Sequence, residues 1–143
     1  QPYCMSELIM DEAEKAEILI RNKPIVWQTT IHEDFITTVP YYVFSIVVGN
    51  LIRNACYYTD QGRIEVIVEK NTIQVMDTGI GMNAEQIDRV YELFYRGENN
   101  NQSGKGIGMS LVKKFCDRFG WQIKIESTQH VGTTVTLLIT EKN

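Results

Sequence analysis

The first half of the chain alternates between helical and strand-like spacing of its apolar residues. Apolar positions three or four apart over residues 6–21 predict an amphipathic helix, which Asn22-Lys23-Pro24 would end. The β-rich run at 25–31 predicts a strand, and a second short strand is expected through residues 35–36. From residue 41 to residue 58 an almost unbroken apolar stretch keeps helical spacing, which predicts a mostly buried helix.

A β-hairpin and a capped helix are predicted next. Residues 63–69 and 72–77 alternate apolar and polar side chains on either side of a two-residue connection, the pattern of a hairpin. Asn83 and Gln86 have the spacing of a capping box, which predicts the start of a helix. The apolar stripe of that helix would consist of Ile87, Val90, Tyr91 and Phe94.

The pattern ends with a helix and two strands. Residues 109–119 have helical spacing, and Gly120 suits a C-terminal stop. Residues 121–127 and 133–140 are expected to be strands. Helices segregated from strands in this order predict an α+β fold, a two-layer α/β sandwich whose mixed, largely antiparallel sheet is covered by about three helices.

Composition and charge narrow the class of protein. The 143 residues suit one domain, and 43% hydrophobic and 22% charged residues are ordinary for a soluble globular protein. The net charge of -4 argues against nucleic-acid binding, and no apolar run reaches the roughly 18 residues of a membrane span. The three scattered cysteines suit reduced thiols in a cytosolic protein. Because the chain starts at Gln1 without an initiator Met, we expect a domain excised from a longer protein.

Two asparagines interrupt the long apolar helix. Asn50 and Asn54 are four residues apart, so both amides project from one helix face. A buried amide requires a hydrogen-bond partner. Two interpretations remain open for this pair. The amides are satisfied by backbone or water, or one of them offers its oxygen to Mg²⁺, a hard cation that prefers oxygen ligands.

Asp77 is the second unusual polar position. It shares the parity of two apolar residues on its strand, so its side chain should point toward the core. Gly79 and Gly81 follow it and allow another group to approach the backbone closely. An ionised carboxylate there requires a donor such as the exocyclic amine of adenine, or else caps the glycine turn. Thr133 has core parity on its own strand and is expected to join Asp77 in a polar network.

A polar, glycine-rich segment precedes the last helix. Gly104, Gly106 and Gly108 alternate with Lys105 and Ile107. Backbone N–H groups exposed at a helix N-terminus favour a bound phosphate. The segment is not a P-loop, because Gly106 stands where a Ser or Thr must follow the lysine. It is not the dinucleotide-binding fingerprint either, because that requires GxGxxG after a first strand, whereas this is GxGxG after a long loop. Taken alone, the segment would suit a flexible hinge equally well.

In this order, the motifs resemble those of the GHKL superfamily of ATP-binding domains, and within it the histidine kinases. The resemblance covers residues 41–140 well and implies a Bergerat-type ATP-binding fold, with a single domain over 1–143 and a mobile ATP lid at about 95–108. The matching segments are 50–55 for the asparagine box, 77–82 for the first glycine box, 91–96 for the phenylalanine box, 104–111 for the second glycine box, and 132–134.

The resemblance implies a role for each matching residue. Asn54 would hold Mg²⁺ through its side-chain oxygen, and Asn50 would assist at the phosphates. Asp77 would accept the adenine amine with help from Thr133 through water, while Tyr58 would stack on the base. The other residues that would contact ATP are Gly79, Gly81, Gly104, Lys105, Gly106, Ile107, Gly108 and Met109.

Catalytic charge is the point at which the chain departs from the family pattern. Arg96 would stabilise charge on the transferring phosphoryl group. Many relatives have Lys or Arg at the position of Tyr57, so its presence puts full phosphotransfer activity in doubt. Lys105 either supplies the missing charge or is a solvated lysine of the lid. The candidate catalytic residues are therefore Asn50 and Arg96, which the resemblance implies, and Lys105, which departs from the family pattern.

The resemblance implies a protein histidine kinase domain that binds Mg-ATP and transfers the γ-phosphoryl group to a histidine in two-component signalling. That histidine would lie on a separate dimerisation domain, absent here, and a response regulator would be the second partner. The domain would be a cytoplasmic monomer from a membrane-anchored kinase, without membrane contact of its own, and inactive in autophosphorylation when alone. The alternatives are a nucleotide-binding pseudokinase scaffold, which Tyr57 favours, and a GHKL ATPase, which Asn50 disfavours because an amide cannot act as a base.

Overall fold

The computed structural model describes residues 1–92 and 108–140. Within these ranges, no helix is long and apolar enough to cross a membrane. The helices are α1 (Met5–Ile20), α2 (Tyr41–Tyr57), α3 (Ala84–Arg89) and α4 (Gly108–Phe119). The strands are β1 (Tyr3–Cys4), β2 (Ile25–Ile31), β3 (Ile36–Thr37), β4 (Gly62–Glu69), β5 (Thr72–Asp77), β6 (Gln122–Thr128) and β7 (Gly132–Leu138).

Five strands form one mixed sheet in the order β2-β4-β5-β7-β6. β2 and β4 are parallel, and the other neighbouring pairs are antiparallel. A parallel pair requires a crossover connection, and α2 lies in the connection between these two strands. β1 and β3 form a separate two-stranded sheet. This architecture confirms the predicted α+β fold with a largely antiparallel mixed sheet.

Three helices form the second layer. α1 packs on α2, α2 packs on α4 and β5, and α4 contacts β6. The aromatic residues between the layers stack on one another, with ring centroids 4.5 Å apart for Phe44 and Trp121 and 4.9 Å apart for Phe119 and Trp121. Phe44 is fully buried, and burial of a side chain of this size stabilises the fold by about 1.5–3 kcal/mol.

The strand registers align the inward-facing side chains in rows across the sheet. A polar row lies at one end of this face, with Asp77, Thr133 and Ser127 as neighbours on β5, β7 and β6. On β4 that row ends in the buried Ile64. The next two rows are entirely apolar, and they contain Val66, Val75, Val135 and Ile125, and then Val68, Ile73, Leu137 and Ile123. Polar groups therefore replace the core at one end of the sheet.

α3 starts as predicted but is shorter than expected. The Asn83 side chain accepts a hydrogen bond from the Gln86 backbone, and the Gln86 side chain accepts one from the Asn83 backbone, both at 2.8 Å. The helix ends at Arg89, so Tyr91 lies beyond it, although Tyr91 still packs against the core. Phe94, the last residue of the predicted stripe, lies outside the described residues.

β1 is an element that the sequence pattern does not predict. Its Tyr3 pairs with Thr37 of β3. A strand of two residues offers too few positions for an alternating pattern to be recognised. The pairing fixes the start of α1, because the Met5 N–H donates a 2.9 Å hydrogen bond to the Phe35 carbonyl just before β3.

Candidate functional site

Asp77 faces inward at the polar end of the sheet, as its parity predicts. Its Oδ1 accepts a 2.9 Å hydrogen bond from the Gly79 N–H, and the Thr133 N–H also donates to the carboxylate. Burial raises the pKa of Asp77 to about 6, although both backbone hydrogen bonds favour the charged form. The contact with Gly79 is the turn-capping alternative, and it is present in the structure. The carboxylate remains poorly solvated and would gain from a further donor.

Thr133 lies directly opposite Asp77 on β7. Opposite residues on neighbouring strands place their side chains on the same face of a sheet, so the two form the expected polar pair. The Thr133 hydroxyl lies 2.7 Å from the hydroxyl of Ser127, the next residue in the row. Ser127 is not among the residues identified from the sequence. The sequence pattern indicates an inward-facing Ser127 all the same, because Ser127 continues the alternation of two inward-facing isoleucines on β6.

Gly79 and Gly81 hold the loop after β5 against neighbouring backbone. A β-carbon on Gly79 would lie 2.1 Å from the Tyr58 carbonyl oxygen, and one on Gly81 would lie 2.0 Å from the Thr128 carbonyl oxygen. Gly81 also has a φ of +66°, in the left-handed region that favours glycine. The protein itself therefore requires glycine at both positions, independently of any bound base.

The C-terminal end of α2 is fixed beneath this loop. The Ile80 N–H donates a 3.0 Å hydrogen bond to the Tyr58 carbonyl. Lys23 donates to the Cys56 carbonyl at 2.9 Å and to the Thr59 carbonyl at 3.1 Å. A cation at the C-terminus of a helix stabilises its exposed carbonyls, and α2 has no basic residue of its own in its last turn. Lys23 supplies that charge from the connection between α1 and β2.

Thr59 carries an unsatisfied polar atom beside the same loop. Its hydroxyl is fully buried and has no hydrogen-bond partner among the described residues. The oxygen lies 2.7 Å from the position that a β-carbon on Gly79 would take. An unpaired buried hydroxyl costs about 1–3 kcal/mol, and such groups commonly bond to a water or a ligand. Thr59 is therefore an unsatisfied hydroxyl inside the protein, next to the glycine whose N–H holds the Asp77 carboxylate.

A second polar cluster lies around Asn50, further toward the N-terminus of α2. The Asn50 side chain donates to the Ile46 carbonyl at 2.8 Å and accepts from the Arg53 guanidinium at 3.1 Å. Gly108, the first residue of α4, lies beside it, because a β-carbon there would be 2.9 Å from Asn50 Oδ1. A guanidinium and a helix N-terminus both favour an anion. The spacing of Arg53, three residues after Asn50, is the signal that would have identified it from the sequence.

The cluster around Asn50 and the polar groups near Tyr58 lie at different positions along α2. Asn50 precedes Tyr58 by eight residues, which corresponds to about 12 Å along α2. Asn54 lies between them, one turn after Asn50 and half-buried. The arrangement offers a site for a base at the C-terminal end of α2 and a site for an anion near the middle of the same helix.

The remaining residues identified from the sequence differ in position. Tyr58 is half-buried and follows the last residue of α2. Met109 is 7% exposed and belongs to the hydrophobic core, so its side chain packs inside the protein. The residues that lie outside the described ranges are Arg96, Gly104, Lys105, Gly106 and Ile107.

Comparison with known proteins identifies the family. Residues 43–143 match the protein family described as histidine kinase-, DNA gyrase B-, and HSP90-like ATPase. The chain is 31% identical over 102 residues to the sensor histidine kinase YvrG of Bacillus subtilis, an alignment that covers 66% of this chain and 18% of YvrG. The chain therefore spans only a minor part of the length of this curated relative.

Solved structures show the same fold. The mycobacterial sensor histidine kinase MprB matches with a TM-score of 0.82 and 20% identity, over 97% of each chain. Full-length ShkA, crystallised in complex with AMPPNP, matches with a TM-score of 0.77 and 17% identity, over all of this chain and 32% of that chain. From the family match, the chain belongs to the histidine kinase-, DNA gyrase B- and HSP90-like ATPases, and its fold is that of the solved sensor histidine kinase MprB.

Proposed function

We propose that this domain binds Mg-ATP and transfers the γ-phosphoryl group to a histidine on a separate dimerisation domain in two-component signal transduction. The inward-facing Asp77 carboxylate carries the proposal, because a poorly solvated acceptor at the edge of a core gains most from a donor such as the adenine amine. The complex of ShkA with AMPPNP supports the choice of an adenine nucleotide, since ShkA contains the same fold.

The base would lie at the polar end of the sheet. Adenine presents a donor amine beside an acceptor nitrogen, and Asp77 is an acceptor there while the Thr133 hydroxyl is able to donate. Tyr58 is expected to pack on the ring. Gly79 and Gly81 contribute by holding the loop close to α2 and β6, which leaves the Asp77 side chain as the base contact.

The phosphates would lie toward Asn50 and the N-terminus of α4. The Arg53 guanidinium already contacts Asn50 Oδ1 and would repel a metal ion at that oxygen. Asn54 is therefore the residue proposed to hold Mg²⁺, which supplies charge neutralisation of the phosphates when bound. Arg96 and Lys105, with the proposed lid at about 95–108, would add positive charge from outside the described residues.

Transfer to a histidine is favoured over hydrolysis by the chemistry of Asn50. An amide cannot take a proton from water, and the amide nitrogen of Asn50 is already bonded to the Ile46 carbonyl. We further propose that residues 1–143 act as one monomeric domain on the cytoplasmic side of a membrane-anchored kinase. Its partners would be the dimerisation domain and a response regulator.

The test is phosphotransfer in trans. The domain is incubated with Mg-ATP and the helical phosphoacceptor domain of the same kinase, and acid-labile phosphohistidine is measured. The control is an acceptor whose histidine is replaced by glutamine. Phosphohistidine that requires both components would support the kinase. Nucleotide binding without phosphohistidine would favour the pseudokinase scaffold, and phosphate release without any acceptor would favour the ATPase.

A further inference from the structure

Ser127 lies in the polar row of the sheet but has no part in the proposed function. Its hydroxyl contacts the Thr133 hydroxyl, which faces the same side of the sheet as Asp77. On the basis of the proposed nucleotide binding, we infer that Ser127 is a positioning residue for base recognition. It orients the Thr133 hydroxyl so that Thr133 donates its proton toward N1 of adenine.

The Ser127 hydroxyl is itself held by two backbone groups. The Met82 N–H donates to Ser127 Oγ at 2.8 Å, and the Gly132 carbonyl lies 3.0 Å from the same atom. These groups belong to the loop after β5 and to the start of β7. An isolated serine hydroxyl rotates among three rotamers. Here the two contacts fix Ser127 Oγ as a stationary partner for Thr133, 2.7 Å away.

The hydroxyl protons have only two consistent arrangements. Because the Met82 N–H donates to Ser127, the single Ser127 proton goes either to the Gly132 carbonyl or to Thr133. When Ser127 donates to Thr133, the Thr133 proton is free to point toward a ligand. When Ser127 donates to Gly132, Thr133 donates back to Ser127 and offers the ligand only lone pairs.

Adenine selects the first arrangement. Its N1 is an acceptor, and it lies next to the amine that would donate a hydrogen bond to Asp77. Thr133 must therefore donate toward N1, directly or through one water. Ser127, Thr133 and any intervening water then donate in the same direction, and hydrogen bonds in such a chain strengthen one another. A base with a protonated N1 and a 6-oxo group would be disfavoured, because its oxygen is an acceptor and would lie against the Asp77 carboxylate, which is also an acceptor.

A purely structural role of Ser127 makes a different prediction. If Ser127 only anchors Met82, its loss would loosen the loop after β5 and weaken the binding of every nucleotide equally. If Ser127 acts through Thr133, loss of the Ser127 hydroxyl should weaken nucleotide binding only when the base has N1 and the protein has the Thr133 hydroxyl. The ligand and the protein therefore each offer an independent way to separate the two roles.

The experiment is calorimetric titration with Mg-ADP and with Mg-1-deaza-ADP, in which N1 is replaced by a C–H group. The proteins are the wild type, Ser127→Ala, Thr133→Val and the double variant. Ser127→Ala should weaken ADP binding by about threefold to tenfold and leave 1-deaza-ADP binding unchanged. In the Thr133→Val background, Ser127→Ala should have no additional effect. Ser127→Thr keeps the hydroxyl and should restore ADP binding.

Two control variants remove hydroxyls elsewhere. Thr136 lies on the same strand as Thr133 but on the opposite face, where its hydroxyl accepts a 3.1 Å hydrogen bond from Gln74. Ser45 donates to Glu12 at 2.7 Å, so Ser45→Ala tests for loss of stability alone. Thr136→Val and Ser45→Ala should each preserve the ratio of the two affinities.

Equal losses for ADP and 1-deaza-ADP in Ser127→Ala, or additive losses in the double variant, would overturn the role of Ser127 while leaving nucleotide binding intact. A wild type that binds neither nucleotide would overturn the proposed function and this inference together. Should Ser127→Ala fail to fold, Ser127→Cys provides the same comparison, because a thiol is a much weaker donor.

Discussion

The Gly79 backbone N–H donates a 2.9 Å hydrogen bond to the Asp77 carboxylate. A β-carbon on Gly79 would lie 2.1 Å from the Tyr58 carbonyl oxygen, so the residue that orients Asp77 also touches the end of α2. The proposed base site is therefore built where the loop after β5 meets the C-terminal end of α2. We expect it to be formed before a nucleotide binds.

The raised pKa of Asp77 predicts a cost in stability. Burial raises it from 3.8 to about 6, so the folded state holds this proton more tightly than the unfolded state does. The free energy of unfolding should therefore fall as the pH rises from about 4 to about 6, by up to about 3 kcal/mol. Asp77→Asn removes this term. The melting temperature of Asp77→Asn minus that of the wild type should therefore be larger at pH 8 than at pH 4. Circular dichroism can follow unfolding at both pH values.

The contribution of Asp77 would be refuted by a melting-temperature difference that is the same at both pH values. Asp34→Asn is the matched control. That exposed carboxylate has a lowered pKa because Ser6 and Phe35 donate hydrogen bonds to it. Asp34 should contribute to stability with the opposite sign, because stability from a lowered pKa is lost as the pH falls. Asp34→Asn should therefore be less stable than the wild type at neutral pH, and this difference should shrink toward low pH.

Substitution of the glycines should separate folding from binding. Gly79→Ala forces a β-carbon against the Tyr58 carbonyl, and backbone cannot yield easily, so we expect a loss of about 3 kcal/mol in the free energy of unfolding. In Gly108→Ala the contact is the end of the Asn50 side chain, which is able to move. That variant should fold normally and bind Mg-ADP more weakly. Urea unfolding of both variants checks this, and equal stabilities would contradict it.

Lys23 should stabilise the end of α2 although it lies far from it in sequence. Lys23→Met leaves the Cys56 and Thr59 carbonyls without their donor and should cost about 2 kcal/mol. Lys124 is a suitable control, because it is exposed and lies 3.9 Å from Glu126 in a surface pair. Lys124→Met should cost less than about 1 kcal/mol. Thermal unfolding that gives the two variants the same melting temperature would remove the capping role.

Arg53 should contribute to binding of the phosphates and not to binding of the base. Its guanidinium bonds to Asn50 beside the start of α4, so Arg53→Gln should weaken Mg-ADP binding by about tenfold. Adenosine, which has no phosphates, should bind the variant and the wild type equally. Arg21→Gln removes an exposed arginine paired with Glu17 and should change neither affinity. Equal losses for ADP and adenosine in Arg53→Gln would show that Arg53 supports the fold only.

The orientation of Asp77 could be predicted because a strand has a period of two, and a polar residue with core parity stands out. The same rule applies to Ser127, and the helical spacing rule applies to Arg53, so both were within reach of the sequence. Motif order identified the family because several motifs follow one another along the chain in the order and spacing of the family, although each motif alone is ambiguous.

Other features depend on contacts between distant segments. Lys23 precedes Thr59 by more than thirty positions, and no local pattern links a lysine in one loop to the end of a later helix. The sequence indicates that Gly79 permits a close approach, but only the fold identifies the Tyr58 carbonyl as the partner. Met109 was expected near the nucleotide because of its place in a motif, and its side chain packs in the core.

Calorimetric titration with Mg-ADP, on the wild type and on Asp77→Asn, tests the central claim most directly. We predict saturable, Mg²⁺-dependent binding by the wild type and its loss in the variant, while circular dichroism shows that the variant remains folded. Undiminished binding by a folded Asp77→Asn protein would contradict the claim that Asp77 holds the base.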